Sequence, residues 1–200
     1  MIGRRWHLAV GSALIIGLLL GFLRATAPPA AQPEATQDVQ VIGDSLSVDS
    51  RPYLSPTWGS RAKDDRALWT AQTLISDVAA NLDPDVLVLA LGSNDVAHRR
   101  RSMARAIRTS NRNTAGVGCV IFTTVKVDGV TPFYNRQWRR FALRFNNALW
   151  SSDAQVANWN KEATDHPAYF VSDGLHMNTV GQMAYARFLQ QSVTNLCRVT

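Results

Sequence analysis

The sequence predicts an α/β domain of three layers, in which a short parallel sheet is covered by helices on both faces. Residues 39–42 form a short run with three β-branched residues, and residues 86–91 form a continuous apolar run; both suit buried strands. Segments with apolar residues at helical spacing alternate with these and later strand-like runs. Such an alternation of strands and helices favours a parallel sheet with helices packed on both of its faces.

The elements follow in chain order from the spacing of apolar residues and from turn-forming residues. The first strand ends at Gly43, and an irregular polar stretch covers residues 49–65. A helix is predicted over 69–81, because Trp69, Ile75 and Val78 recur near helical spacing before Asp83-Pro84 breaks the pattern. The remaining predictions are a strand at 86–91, an arginine-rich helix at 98–111, a strand at 119–127, an amphipathic helix at 135–150, a short strand at 154–159 and a closing helix at 179–196.

The chain is predicted to have three regions: an apolar N-terminal segment at 1–24, a linker rich in Pro and Ala at 25–38, and the domain at 39–200. Residues 6–23 contain no Asp, Glu, Lys or Arg, which is typical of a secretory signal or a membrane anchor. Arg4 and Arg5 precede this segment and predict an exported domain outside the cytoplasm. Residues 25–27 match a cleavage pattern, but Pro28 follows at once, so cleavage and anchoring both remain open.

Composition and charge limit the class of protein. The hydrophobic fraction of 46% and the charged fraction of 18% are typical of a globular domain. The net charge of +6 is compatible with anionic surfaces such as cell-wall polymer or lipid headgroups, and equally with arginines on solvated helix faces. No nucleic-acid motif is visible, and the sequence predicts no nucleic-acid partner.

Cys119 and Cys197 are the two cysteines of the chain. In an exported protein an even count favours a disulfide, and the alternative is two buried thiols. Cys119 would begin a strand and Cys197 would end the last helix. In an α/β domain we expect both positions at the edge of the sheet opposite the carboxyl ends of the strands.

The segment Gly43-Asp44-Ser45 follows the first strand directly. A sharp turn there would present Ser45 at the carboxyl edge of the sheet, where open α/β folds place their sites. A serine is a nucleophile only if a histidine and an orienting carboxylate reach it. Asp173 and His176, three residues apart near the C-terminus, are the candidates for these two roles.

Three blocks in this order, Gly-Asp-Ser-Leu, Gly-Ser-Asn-Asp and Asp-x-x-His, resemble those of the SGNH hydrolases, also called the GDSL lipase/esterase superfamily. The resemblance implies that Ser45 is the nucleophile, His176 the base and Asp173 its orienting partner. It also implies an oxyanion hole formed by the backbone N–H of Ser45, the side-chain amide of Asn94 and a glycine N–H, which we assign to Gly59.

Other charged residues near these blocks have structural interpretations. Asp44 and Asp95 are expected to cap backbone N–H groups beside tight turns and have no catalytic role. Arg99, Arg100 and Arg101 would either line the rim and attract an anionic substrate or form a solvated first turn of a helix. No pair of His or Cys stands at metal-ligand spacing, and the expected reaction needs no cofactor.

The sequence therefore predicts an exported, monomeric serine ester hydrolase that works through an acyl-enzyme on Ser45. Its substrate would be a small-molecule, glycan or lipid ester, and it would contact the membrane through the N-terminal segment only. One alternative is a cell-wall carbohydrate O-acetylesterase or O-acyltransferase. A non-catalytic surface-binding module is the other alternative.

Overall fold

A five-stranded parallel sheet lies between two layers of helices, which confirms the predicted architecture. The computed structural model describes residues 37–131 and 135–197, so the predicted leader and nearly all of the linker lie outside the described residues. None of the helices in these two ranges combines the length and the apolar character needed to cross a bilayer. The strands are β1 (Val39–Gly43), β2 (Gly59–Ser60), β3 (Val86–Ala90), β4 (Cys119–Thr123) and β5 (Gln155–Ala157).

Seven α-helices connect and cover the strands in the described ranges. They are α1 (Ser45–Ser50), α2 (Gln72–Asn81), α3 (Ser93–Ala97), α4 (Met103–Asn113), α5 (Asn135–Trp150), α6 (Trp159–Asp165) and α7 (Thr179–Leu196). The strand order is β2-β1-β3-β4-β5. The order therefore reverses between β1 and β3, and the carboxyl ends of these two strands flank the point where open α/β sheets form a crevice.

The two faces of the sheet are built from alternate residues of the same strands. Leu87 and Leu89 of β3 pack with α2, α4 and α5, whereas Val86 and Val88 pack with α7 on the opposite face. All five residues of β3 are buried. A strand covered on both faces needs apolar residues at every position, which explains the continuous apolar run at 86–91.

The stretch predicted to be irregular, 49–65, contains ordered elements. It includes the end of α1, a short 3-10 helix at Arg51–Tyr53 and the edge strand β2. Gly59 and Ser60 pair with Gln40 and Val41 of β1. Neither residue favours a strand locally, so this strand forms because β1 offers a partner.

The predicted helix at 98–111 is wrong in its boundaries. The structure has α3 and α4 separated by a turn, in which Arg99 has a φ of 56°. The predicted helix at 69–81 begins only at Gln72, and the residues before it form a turn in which the Asp95 carboxylate accepts hydrogen bonds from the N–H groups of Leu68 and Trp69. The Trp69 side chain is therefore exposed rather than part of the core.

The predicted strands at 119–127 and 154–159 are both shorter in the structure. Beyond β4, side-chain amides replace a neighbouring strand: Asn146 accepts from the Val125 N–H and Asn160 from the Val127 N–H. Beyond β5, the chain turns at once into α6, whose N-cap is Asn158. Apolar residues continue past the end of the strand in both places, so hydrophobicity alone overestimates strand length.

A disulfide joins Cys119 and Cys197, with a Cα–Cα distance of 5.7 Å. Cys119 begins β4 and pairs with Val86 at the start of β3. The disulfide therefore lies at the amino-terminal edge of the sheet, as the sequence predicts.

Candidate active site

Ser45 stands at the carboxyl edge of the sheet, as the first residue of α1. Gly43 ends β1 in close contact with the next turn of chain, and any side chain there would overlap Ser47. The Asp44 side chain caps α1 by accepting a hydrogen bond from the Leu46 N–H at 3.2 Å. Because Ser45 is the first helical residue, its own N–H has no acceptor within the helix.

A relay of three side chains ends at the Ser45 hydroxyl. The Oγ of Ser45 lies 3.2 Å from Nε2 of His176, and Nδ1 of His176 lies 2.7 Å from Oδ2 of Asp173. Residues 131 positions apart in the sequence are thus brought within hydrogen-bond reach. This is the geometry of a nucleophile, a base and the carboxylate that orients the base.

The turn from Asp173 to His176 holds the base and the carboxylate in place. Oδ1 of Asp173 accepts the backbone N–H groups of Leu175 at 2.8 Å and His176 at 2.9 Å. Burial by itself would raise the pKa of Asp173, but the hydrogen bonds from the His176 ring and from these two N–H groups outweigh it and lower the pKa. Asp173 therefore stays ionised and able to stabilise a protonated His176.

Lys126 stabilises this turn through a hydrogen bond to one of its carbonyls, and this role was not predicted from the sequence. Its side chain is buried, its Nζ donates to the Gly174 carbonyl at 2.7 Å and lies 4.1 Å from the centre of the Phe170 ring. Burial lowers the pKa of Lys126, although Asp173 and Asp128 act in the opposite direction. A lysine within the apolar run 119–127 was a visible signal, because lysine is seldom buried without a specific partner.

Gly174 itself is required at its position in the turn. Its φ is 69°, and a side chain there would overlap the carbonyl of Gly129. The conformation allows Asp173 and His176 to face each other over three residues.

Asn94 reaches the same site from α3, directly after β3. It lines one cavity together with Ser45 and His176. Its Nδ2 donates to two loop carbonyls, those of Asp64 at 2.9 Å and Arg66 at 3.0 Å. Both amide hydrogens are thus directed at the loop that follows β2, so Asn94 positions that loop as well as facing Ser45.

Gly59 does not join the site. It begins β2 and pairs with Gln40, three residues before the end of β1, and its Cα faces the Gln40 side chain. The residue after β2 that lines the cavity is Asp64. The assignment of Gly59 to the oxyanion hole is therefore not supported by its place in the sheet, since the chain reaches the site only several residues later.

The cavity beside Ser45 has a volume of about 310 Å³, and its walls are polar and apolar in about equal parts. It is lined by Ser45, Asp49, Asp64, Ser93, Asn94, Ala97, Leu175 and His176. Burial raises the pKa of Asp49, His176 lowers it, and the neighbouring Asp64 raises it further. Two carboxylates thus line the cavity together with the nucleophile, and no motif in the sequence predicts either of them.

The arginines 99–101 do not line this cavity. Arg100 packs over the Trp69 ring at 4.2 Å, and Arg100 and Arg101 line a separate groove between α4 and α5. Arg100 and Arg101 therefore do not form the rim of the site. Their alternative assignment, to a helical first turn, is also wrong, because they lie in the turn before α4.

Asp44 and Asp95 have the structural role expected of them. Both are buried, and both accept backbone N–H groups. Burial, as the largest cause, raises the pKa of Asp44 to about 7 and that of Asp95 to about 6. Neither lines the cavity beside Ser45.

Comparison with known proteins shows similarity in structure alone. No protein-family model and no curated protein matches the sequence. Among solved structures, the C-terminal catalytic domain of peptidoglycan O-acetyltransferase A from Streptococcus pneumoniae superimposes with a TM-score of 0.65 at 20% identity, over 80% of this chain and 93% of that one.

Two further structures show the same similarity. A GDSL-like lipase from Bacteroides thetaiotaomicron has a TM-score of 0.64 at 14% identity, covering 84% of this chain and 94% of the other. An acetylxylan esterase from Geobacillus stearothermophilus has a TM-score of 0.61 at 13% identity, covering 83% and 98%. This chain therefore has the fold of the SGNH hydrolases.

Proposed function

We propose that the protein is a serine ester hydrolase in which Ser45 is acylated, His176 transfers protons and Asp173 orients His176. The observation that carries the proposal is the continuous relay Ser45–His176–Asp173, with separations of 3.2 and 2.7 Å. The relay opens into a cavity large enough for a small acyl group and part of an alcohol. A binding module without catalysis has no need for three side chains at these distances.

In the first half of the reaction, Oγ of Ser45 attacks the ester carbonyl while its proton passes to Nε2 of His176. The tetrahedral intermediate then expels the alcohol, which takes the proton from His176. In the second half, water attacks the acyl-enzyme and gives a proton to His176. The carboxylic acid leaves, and Ser45 recovers its proton.

The negative oxygen of each tetrahedral intermediate needs hydrogen-bond donors. The N–H of Ser45 is one candidate, because it begins α1 and has no helical acceptor. Asn94 is the second, provided that one of its amide hydrogens moves from the loop at 64–66 to the substrate. Because the oxyanion replaces a loop carbonyl as acceptor, both amide hydrogens of Asn94 keep a hydrogen bond during the reaction.

The small volume of the cavity favours a short acyl group, and its two carboxylates favour a hydroxylated alcohol; both features support a carbohydrate O-acetylesterase or O-acyltransferase as the more specific function. Ala97 and Leu175 supply the apolar side chains of the lining, and a volume of about 310 Å³ gives room for a short acyl group beside part of an alcohol. The carboxylates of Asp49 and Asp64 are good acceptors for sugar hydroxyls. Two structurally similar proteins are described as a peptidoglycan O-acetyltransferase and an acetylxylan esterase.

The apolar segment at 6–23 and the arginines before it support export of the domain. The disulfide between Cys119 and Cys197 is consistent with an oxidising compartment. A cell-wall or extracellular glycan ester would be accessible to an enzyme exported in this way.

The function is tested with purified protein on p-nitrophenyl esters of increasing chain length and on acetylated xylan and acetylated peptidoglycan. We expect hydrolysis of acetyl esters, loss of activity in Ser45→Ala, and addition of a serine-directed phosphonate to Ser45 alone. Unchanged turnover in a folded Ser45→Ala protein, or labelling of another serine, would reject the assignment. In the presence of a sugar acceptor, a hydrolase releases free acetate, whereas a transferase moves the acetyl group to the sugar. Measuring both products separates the two activities.

A further inference from the structure

The positive charge of the chain is concentrated in one part of the sequence. Residues 98–150 contain eleven of the 21 Lys and Arg residues but only one of the 15 Asp and Glu residues, Asp128. The rest of the chain has ten basic and fourteen acidic residues, so it is net negative. The overall charge of +6 therefore understates the charge of the layer that contains α4 and α5.

The arginines of this layer form one surface, which we call the arginine face. Arg105, Arg108 and Arg112 are exposed and follow one another at helical spacing on a single side of α4. Arg140 and Arg144 are exposed one turn apart on α5, and Arg101 lines the same groove as Arg144. The arginine face consists of Arg101, Arg105, Arg108, Arg112, Arg140 and Arg144.

These six guanidinium groups have no carboxylate within ion-pair distance among the described residues. On this surface Asp128 pairs with Arg139 instead. Asp153 shares a groove with Arg105, Arg108 and Arg112 without forming an ion pair with them. Like charges one turn apart oppose helix formation, so the pattern lowers the stability of α4 and α5 unless an anionic partner covers it.

The end of α5 adds an interfacial feature to this surface. Trp150 is 54% exposed and Leu143 is 36% exposed, and their spacing places them on the same side of α5 as Arg140. Exposed tryptophan beside arginine is the composition that membrane-surface helices use at the level of the headgroups.

The arginine face also extends to the amino-terminal edge of the sheet, where β1 begins. Asn111, near the end of α4, lines a groove with Cys119 and Cys197 at the amino-terminal edge of the sheet. β1 begins at that same edge, immediately after the linker at 25–38. A linker of 14 residues reaches roughly 40 Å when extended, so an anchored N-terminal segment would keep the domain within reach of the bilayer.

We propose that the arginine face binds the phosphate headgroups of anionic phospholipids in the membrane that holds the N-terminal segment. Guanidinium groups match phosphate oxygens in a bidentate geometry and lose less hydration than ammonium groups. In this orientation the layer that contains α4 and α5 lies against the bilayer, and Ser45 stays at the carboxyl edge of the sheet, outside the arginine face. The domain would therefore contact the membrane through its surface as well as through its N-terminal segment.

The test uses the full chain, reconstituted through its N-terminal segment into vesicles of phosphatidylcholine alone or phosphatidylcholine with phosphatidylglycerol. Phenylglyoxal modifies exposed arginines, and mass spectrometry gives the rate at each site. On vesicles with phosphatidylglycerol we expect at least a fivefold slower rate at Arg108, Arg140 and Arg144, reversed by high salt. Arg51 and Arg187, exposed elsewhere, should react equally on both vesicles.

Two charge-reversal variants supply the matched comparison. Arg105→Glu/Arg112→Glu should abolish the protection of Arg108, Arg140 and Arg144. Lys161→Glu/Arg187→Glu changes the net charge equally but lies outside the face, and it should leave the protection intact.

Three results would overturn the proposal. One is equal modification of the arginine face on both kinds of vesicle. Another is equal loss of protection in the two variants, which would indicate attraction by net charge alone. The third is protection by soluble double-stranded DNA on neutral vesicles without protection by phosphatidylglycerol, which would assign the face to a nucleic acid.

Discussion

The side-chain amide of Asn94 has two roles: it binds the loop at 64–66, and in the proposed reaction it binds the oxyanion. In the free protein its two hydrogens are directed at the carbonyls of Asp64 and Arg66, and the proposed reaction requires one of them at the oxyanion. The site therefore has to exchange an internal hydrogen bond for one that exists only while the substrate is tetrahedral. Such a donor acts mainly on the transition state.

Asn94→Ala should lower kcat by about a hundredfold, because one oxyanion donor contributes roughly 3 kcal/mol. KM should change far less, and steady-state kinetics on an acetyl ester would measure both. Asn113→Ala is the matched control, since Asn113 also donates its amide to a backbone carbonyl, that of Gln72, away from Ser45. A change confined to KM would mean that Asn94 only holds the loop at 64–66.

Lys126 acts on the reaction through the turn that carries Asp173. Replacement by Met keeps the length of the side chain but leaves the Gly174 carbonyl without its buried donor. We expect kcat to fall roughly tenfold to a hundredfold through misplacement of His176. Phosphonate labelling of Ser45 should slow by a similar factor.

Lys161→Met, which removes an exposed lysine from its ion pair with Asp165, is the control for loss of charge. Circular dichroism would confirm that both variants fold. Normal kcat and normal labelling in folded Lys126→Met protein would show that the lysine only fills space.

The contrast between Asn94 and Gly59 shows where residue-level prediction works. Asn94 follows a strongly apolar strand by a few residues, and the end of that strand fixes its position at the carboxyl edge. Gly59 lies in a polar stretch whose only strand depends on pairing with β1. Without that pairing, no pattern in the sequence shows which residue after β2 reaches Ser45.

At the level of elements, α1, which carries the nucleophile, is capped by the carboxyl group of Asp44, whose burial disfavours the ionised form. Asp44 is buried, and its pKa is raised from 3.8 to about 7. The folded state therefore binds a proton between these two values that the unfolded state has released. By linkage, the free energy of unfolding should decrease as the pH rises from about 4 to about 7, by at most about 4 kcal/mol for this group.

Asp44→Asn should flatten this pH dependence, because an amide does not titrate and its oxygen still accepts the Leu46 N–H. Urea denaturation at several pH values between 4 and 8 measures the effect. Asp77→Asn, on the exposed side of α2, is the control and should follow the wild-type curve. A curve for Asp44→Asn that is as steep as that of the wild type would assign the dependence to other groups such as Asp95.

The long elements could be predicted from sequence, and the short ones could not. The closing helix at Thr179–Leu196 and the helix at Asn135–Trp150 have the predicted bounds, because several turns of apolar spacing define them. α3 and α6 have five and seven residues, too few for periodicity to appear. The break before α4 depends on the turn around Arg99, which apolar spacing does not detect.

At the level of the whole molecule, the disulfide connects the end of the last helix to the start of β4. It closes a loop with a sequence separation of 78, which includes Asp173 and His176. In the chain-entropy treatment such a loop stabilises the folded state by roughly 4 kcal/mol. The disulfide stabilises the folded state by lowering the conformational entropy of the unfolded chain, so it needs no contact with the active site.

Reduction of the disulfide should therefore lower the melting temperature while leaving activity at 25 °C nearly unchanged. Calorimetry and an acetyl-ester assay with and without reductant would measure the two effects. Cys119→Ser/Cys197→Ser should behave like the reduced protein, and reductant should have no further effect on it. Loss of activity below the melting transition would show that the disulfide also shapes the site.

The disulfide and its neighbouring strands bring the start of β1 close to the end of α7. Val39 pairs with Val86, Val86 pairs with Cys119, and Cys119 is bonded to Cys197. Adjacent strands lie about 4.8 Å apart, so the first strand and the end of the last helix are within roughly 15 Å of each other. A peptide of about six residues would close this gap, and a circularly permuted chain that begins in an exposed loop would then retain every layer of the fold.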